Sequence, residues 1–272
     1  MRLCLMVCLL MMFSMPLEAA RLVVMDVGEG QALFLQQGDK AMLIDTGHAG
    51  MAAHVLQRLH HHGVKSLHSI ILTHLHPDHA SGYFRLREAY PYAPVLENGQ
   101  PLPENVAPDM VRWVRDRLHT DPQRRVIGAG DHIDWGELHV DVLWPQRFSN
   151  DNLNLHSLVL LIHLGQSRVL IMGDVPQSVE RRLLALGMLP KGIEVLVVGH
   201  HGAADSSDRD VLRHLAPRVS VISVNADNLR GYPDADTLKR LEANSGRLYR
   251  TDRDDEVCLQ LSPQRGEVGP CP

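Results

Sequence analysis

Short apolar runs alternate with turn residues and with segments of helical periodicity along most of the chain. Residues 21–27 read as a strand, with a turn at 28–30. Residues 32–36 and 41–44 flank Gly38-Asp39, the layout of a β-hairpin. Apolar side chains recur at helical spacing over 51–61, and 69–72 reads as a short buried strand. Residues 109–118 predict a helix with Met110, Val111, Val114 and Leu118 on one face. Short strands broken by Gly128, Gly130 and Gly136 fill 125–144, and 158–164 pairs with 169–172 across Gly165-Gln166. After a helix at 178–186, residues 193–198 are nearly all apolar, as in a strand covered on both faces. Helix 207–215, strand 219–224, helix 234–244 and strands 248–251 and 256–261 follow, and 263–272 reads as a flexible tail. The alternation predicts an α/β fold of mixed sheets with helices outside.

The start of the chain departs from this pattern. Arg2 precedes the apolar run 3–15, then Pro16 and the small residues Ala19-Ala20. This layout predicts a secretory signal peptide over 1–20, too short in its apolar part for a bilayer span of roughly 20 residues. The expectation is an exported domain over 21–262, periplasmic or secreted, with no stable membrane anchor after cleavage. Cleavage would leave Cys258 and Cys271. An oxidising compartment permits them to pair, and nothing in their spacing forces it.

The formal net charge is −5, from 27 Lys plus Arg against 32 Asp plus Glu. That balance excludes a protein that coats nucleic acid broadly and leaves room for a local nucleic-acid site. The 17 histidines are informative where they cluster. Thr73-His74-Leu75-His76-Pro77-Asp78-His79 follows the 69–72 strand and packs three imidazoles and a carboxylate together. His74 and His76, two apart in an extended segment, point the same way and suit one cation. Pro77 starts a helical turn that swings Asp78 and His79 toward a second. Imidazole with carboxylate suits Zn²⁺, with Mn²⁺ or Fe²⁺ as alternatives. Distant partners also end strands: Asp45-Thr46-Gly47, Gly173-Asp174 and Gly199-His200-His201-Gly202. Strand ends can converge on one rim of the sheets. His60, His61 and His62 read as a solvated helix end, and His54, His68, His119, His139, His163 and His214 as isolated surface or packing residues.

His74, His76, Asp78, His79, Asp174 and His200 in this order resemble the metal signature of the metallo-β-lactamase fold. More specifically, the chain resembles the soluble domain of ComEC-type competence proteins. The likeness is carried by Asp26-Val27-Gly28-Glu29-Gly30-Gln31, Leu43-Ile44-Asp45-Thr46-Gly47, Gly130-Asp131 through Trp144-Pro145, Asn154-Leu155-His156-Ser157-Leu158 and His200-His201-Gly202 with Ser206 and Ser207. It runs from about residue 21 to residue 261. Gln31, Ala203 and Tyr232 depart from residues usual in the family.

The resemblance implies an αββα sandwich of two mixed sheets flanked by helices, and two divalent metal ions. His74, His76 and His156 would hold the first. Asp78, His79 and His200 would hold the second, with Asp174 bridging; His201 is a substitute ligand or a proton donor. Asp26 or Asp45 would orient the ligand imidazoles, and Asn154 and Ser206 would meet substrate. Cations so held activate a bridging water for hydrolysis. The implied substrate is a phosphodiester, DNA included, with Arg85 and Arg87 near the metal loop to assist. Hydrolysis of a lactone, thioester or lactam is the alternative, as is metal binding without turnover.

Overall fold

The computed structural model describes residues 19–102, 109–148, 152–263 and 268–271. The apolar run of the expected signal peptide lies outside the described residues. Strands β1 (Ala20–Val24), β2 (Leu33–Gln37), β3 (Lys40–Ile44), β4 (Ser66–Leu72), β5 (Val95–Glu97) and β6 (Arg124–Val126) form one sheet. The second sheet holds β7 (His132–Trp135), β8 (Leu138–Trp144), β9 (Val159–Leu164), β10 (Ser167–Ile171), β11 (Val195–Val197), β12 (Val219–Ile222) and β13 (Arg247–Arg250). β14 (Val257–Leu261) and β15 (Val268–Pro270) return to the first. The orders are β15-β14-β1-β2-β3-β4-β5-β6 and β13-β12-β11-β10-β9-β8-β7.

Alternate side chains of each strand feed different cores. Leu22, Leu35, Met42 and Ile44 meet Val140, Leu160, Ile171 and Val197 between the two sheets. Val23, Phe34, Leu43 and Ile70 on the outer face of the first sheet pack on α1 (Ala52–His61), α3 (Tyr83–Ala89) and α4 (Asp109–His119) through Val55, Leu59, Leu86 and Val114. Leu170, Leu196 and Ile222 face α5 (Gln177–Ala185), α6 (Arg209–Leu215) and α7 (Ala235–Asn244) through Val179, Leu183, Leu212 and Leu241. Each such side chain contributes about 1.5–3 kcal/mol when taken fully out of water. The result is the expected αββα sandwich. Asp208 and Asp234 cap α6 and α7, each carboxylate accepting two N–H groups of the first turn.

Two regions differ from the sequence expectation. Residues 77–97 hold the four-residue α2 (Pro77–Ala80), α3 and β5, elements too short or too mixed to show a period. The expected flexible tail is in part a strand: β15 pairs antiparallel with β14, and Cys258 bonds Cys271 across that pair. The sequence signal was poor because three residues carry no alternation.

The topology places the chemistry. β3 runs parallel to β4, and β10, β11 and β12 run parallel to one another. Their carboxyl ends therefore deliver Asp45, Thr73-His74, Asp174, His200-His201 and Ser223 to one rim.

Candidate metal centre

Backbone clips hold the rim loops together. The Thr46 N–H donates to the His79 carbonyl at 2.7 Å, and the Gln31 N–H to the Asp78 carbonyl at 3.1 Å. A Cβ at Gly30 would collide with that Asp78 carbonyl, so only glycine fits there. Asp45, His200 and His201 adopt φ of 57°, 51° and 53°. A left-handed non-glycine residue costs of order 1–3 kcal/mol, and such strain concentrates at functional sites.

Hydrogen bonds fix the histidine tautomers. Asp45 Oδ2 lies 2.8 Å from His79 Nδ1, and a carboxylate can only accept, so His79 carries a proton on Nδ1. His201 Nδ1 lies 2.9 Å from the Ser223 carbonyl and is a donor for the same reason. Each ring thus turns Nε2 inward, and these two nitrogens stand 3.2 Å apart. In neutral rings both are bare lone pairs, which repel unless positive charge lies between them. Thr73 Oγ1 donates to Asp45 Oδ2 at 2.8 Å, leaving it an acceptor for His74 Nδ1 at 3.1 Å. His74 Nε2 then also faces the site, 2.9 Å from His76 Nδ1.

Asp174 sits among these nitrogens. Its Oδ1 is 3.3 Å from His79 Nε2, and its Oδ2 is 3.8 Å from His74 Nε2 and 3.7 Å from His201 Nε2. Asp78 Oδ2 is 3.7 Å from His201 Nε2. Two ligands of one tetrahedral zinc ion, each about 2.1 Å from it, stand about 3.4 Å apart. The candidate donor atoms have that spacing, and His74, His79 and Asp174, and Asp78, His79 and His201, form two buried groups sharing His79. Asp78 Oδ2 and Asp174 Oδ1 are buried with no hydrogen-bond partner. Buried carboxylate oxygens left so are costly, and a cation satisfies them. These donors fit divalent cations, and His76, with Nδ1 2.9 Å from His74 Nε2, borders the first group.

The electrostatics agree. Burial disfavours a charged His79, but the Asp174 and Asp45 carboxylates outweigh it and hold its pKa well above the ordinary value. Burial also opposes the Asp174 carboxylate, yet His79 and His201 hold its pKa well below the usual range. Burial, reinforced by His79, pushes His74 well down; burial likewise lowers His76 and His201. The site demands positive charge near His79 and Asp174 while keeping its other imidazoles neutral, the form that binds metal.

Several expected residues stand elsewhere. His156 is not in the cluster: its Nδ1 bonds the Asn152 carbonyl at 3.0 Å and its ring packs edge-on against Phe148. The 3-10 turn Asn154–His156, whose last carbonyl accepts from Asn98 Nδ2, brings Ser157 to the site instead. Ser157 Oγ lies 3.3 Å from His74 Nδ1 and accepts the Asp174 N–H. His201, not His200, completes the second group. His200 has both nitrogens engaged, Nδ1 with Asp205 at 3.0 Å and Nε2 with Asn154 Nδ2 at 3.1 Å. The consecutive left-handed residues give the two rings different partners. Asp26 accepts the Gly28 N–H in a turn, so Asp45 alone of the pair supports the ligands. Ser206 is fully buried and donates to the Ala203 carbonyl, bracing the loop rather than facing substrate. Arg87 is ion-paired with Asp121 at 2.7 Å and buried, away from any substrate. His62 Nε2 lies 2.7 Å from Glu256 Oε1 and donates to it, tying the end of α1 to the segment before β14.

Sequence reasoning missed the role of Ser157, which stands beside the expected ligand His156 in the 154–158 motif, and of Ser223, which acts through a carbonyl that no motif marks. It also missed Arg230, whose guanidinium lies 3.6 Å from Asp78 Oδ2. Gln31, a departure from the resembling family, donates to Asp45 Oδ2 at 2.9 Å.

Comparison with known proteins agrees with this architecture. The family described as Metallo-beta-lactamase superfamily matches residues 25–226. Recombination protein 2 of Haemophilus influenzae is 28% identical over 249 residues, covering 90% of this chain and 29% of that protein. Competence protein ComA of Neisseria gonorrhoeae is 27% identical over 256 residues, covering 94% of this chain and 34% of that protein. The chain thus spans about a third of the length of these relatives. Among solved structures, the metallo-beta-lactamase fold protein YhfI from Bacillus subtilis superposes with a TM-score of 0.59 at 13% identity, covering 89% of this chain and 100% of that one. No helix among the described residues is long and apolar enough to cross a membrane.

Proposed function

The chain belongs to the metallo-beta-lactamase superfamily of metal-dependent hydrolases, and we propose that it is an exported, binuclear phosphodiesterase acting on nucleic acid. The carrying observation is the pair of inward-facing Nε2 atoms of His79 and His201, 3.2 Å apart beside the shared carboxylate of Asp174. Divalent cations held by His74, His79, Asp174, Asp78 and His201 would supply Lewis-acid polarisation and lower the pKa of water. Asp45 fixes the ring of His79 directly and that of His74 through Thr73. Ser223 fixes His201. His200, half-buried at the rim, is oriented by Asp205 through Nδ1 and accepts from Asn154 Nδ2 at Nε2, so the pair would position substrate beside the cations.

Nucleic acid as substrate is supported by the competence and recombination proteins that the chain resembles, and by Arg230 beside Asp78. Export is supported by the apolar run 3–15 and by the Cys258–Cys271 bond, which suits an oxidising compartment. Zinc fits the donor set, with manganese as the alternative. The test offers zinc- or manganese-loaded protein bis-p-nitrophenyl phosphate, linear DNA, circular DNA and nitrocefin. Turnover of the phosphodiesters alone is expected. Turnover of nitrocefin alone, or of none despite bound metal, overturns the reading.

A further inference from the structure

A cleft of about 500 Å³ opens beside Asp78, a volume in the range of small-ligand sites. Its lining combines apolar Val27, Met51 and Pro77 with polar His48, Glu29, Asp78 and Arg230. Arg230 sits on the loop between β12 and α7. The Asn228 side chain braces that loop, its Nδ2 donating to the carbonyls of Asn225 and Tyr232 and its Oδ1 accepting the Tyr232 N–H. The Tyr232 ring lies nearly parallel to that of His201, 6.5 Å away, and Leu229 is fully exposed beside Arg230. One loop therefore overhangs candidate ligands of the second cation and holds the arginine at the cleft.

The partners of Arg230 leave its donors in reserve. Its Nε contacts Glu29 Oε1 at 3.1 Å, while Nη1 is 3.6 Å from Asp78 Oδ2, too far for a good hydrogen bond. Once Asp78 serves a cation, Glu29 is the one carboxylate left to the guanidinium. Its five N–H donors in a planar fork match two oxygens of a phosphate. Resting on the phosphodiester reading above, we propose that this cleft receives the nucleotide next to the cleaved bond, its phosphate held by Arg230 and its base against Val27, Met51 and Pro77. A strand with flanking phosphates is then preferred over an isolated diester.

The test compares the dinucleotide TpT with pTpTp, which carries a phosphate at both ends, in wild type, Arg230→Ala and Arg230→Lys. Binding of thymidine monophosphate and of inorganic phosphate is followed by calorimetry. In wild type, kcat/KM for pTpTp is expected to exceed that for TpT by about tenfold, the worth of one charge-assisted hydrogen bond. Arg230→Ala is expected to erase that advantage and to weaken thymidine monophosphate binding about tenfold, with Arg230→Lys recovering part of both. Thymidine monophosphate is expected to bind more tightly than inorganic phosphate. An advantage for pTpTp that survives in Arg230→Ala, or nucleotide binding unchanged by it, overturns the inference. A wild type that leaves every phosphodiester intact overturns the phosphodiester reading instead, and the calorimetry still decides on the cleft.

Discussion

Asp45 Oδ2 accepts from His79 Nδ1 at 2.8 Å and, through the Thr73 hydroxyl, governs the tautomer of His74 as well. One carboxylate at the end of β3 therefore orients a donor on each side of Asp174. Asp45→Asn keeps the size and loses the charge. It is expected to weaken zinc binding by about 10–100-fold, measured by competition with a chromophoric chelator. Unchanged affinity would show that the tautomers are set some other way.

The two adjacent histidines separate cleanly in a substitution experiment. His201→Ala is expected to lose about one bound cation per chain along with activity, because its Nε2 faces Asp78 and Asp174. His200→Ala is expected to keep metal content and lower kcat, and His156→Ala to keep metal content. Metal analysis of the three purified variants checks the ordering. Loss of metal in His200→Ala or His156→Ala, with His201→Ala intact, would reverse the assignment.

Glu180 gives a pH dependence outside the metal centre. It is buried and accepts the N–H groups of Ser207 and Asp208, and burial raises its pKa to about 7. An acid whose pKa is higher folded than unfolded binds more protons in the folded state, so its contribution to stability is present at low pH and lost as pH rises. The loss runs from about pH 4.5, the unfolded value, to about pH 7. Glu180→Gln removes this titration. Its melting temperature relative to wild type is expected to rise between pH 5 and pH 8, followed by calorimetry. A difference that is flat with pH, or that falls, contradicts the account.

The fold was legible because its central strands are apolar on both faces and many of its turns carry glycine. Residues 193–198 announce a strand covered on both faces and 41–44 the second strand of a hairpin, and the ligand motifs directly follow such runs. What was not legible depends on single torsions. Whether His200 or His201 turns inward is decided by two left-handed residues, and no composition reports that. His156 was misplaced because a tight turn advances the chain by one residue, so Ser157 occupies the space beside His74. Asp26 falls within the expected strand 21–27 and Asp45 just after 41–44, and only the β3–β4 pairing puts Asp45 against Thr73 and His79.

The carboxyl-terminal strand is held by Cys258–Cys271, closing a loop with a sequence separation of 13. A loop of about this length is worth roughly 3 kcal/mol of unfolded-state entropy. Cys271→Ser is expected to lower the melting temperature by several degrees while metal content stays at the wild-type value. Thermal unfolding with and without reductant checks this, reductant lowering the wild type and not the variant. Identical curves for wild type under both conditions would mean the bond does not form.

The central claim is a pair of cations sharing Asp174. Its most direct test is equilibrium dialysis against zinc followed by a count of metal per chain in wild type and in Asp174→Asn. Two ions per chain are expected in wild type and fewer than one in the variant. One ion or none in wild type, or an equal count in both proteins, would contradict it.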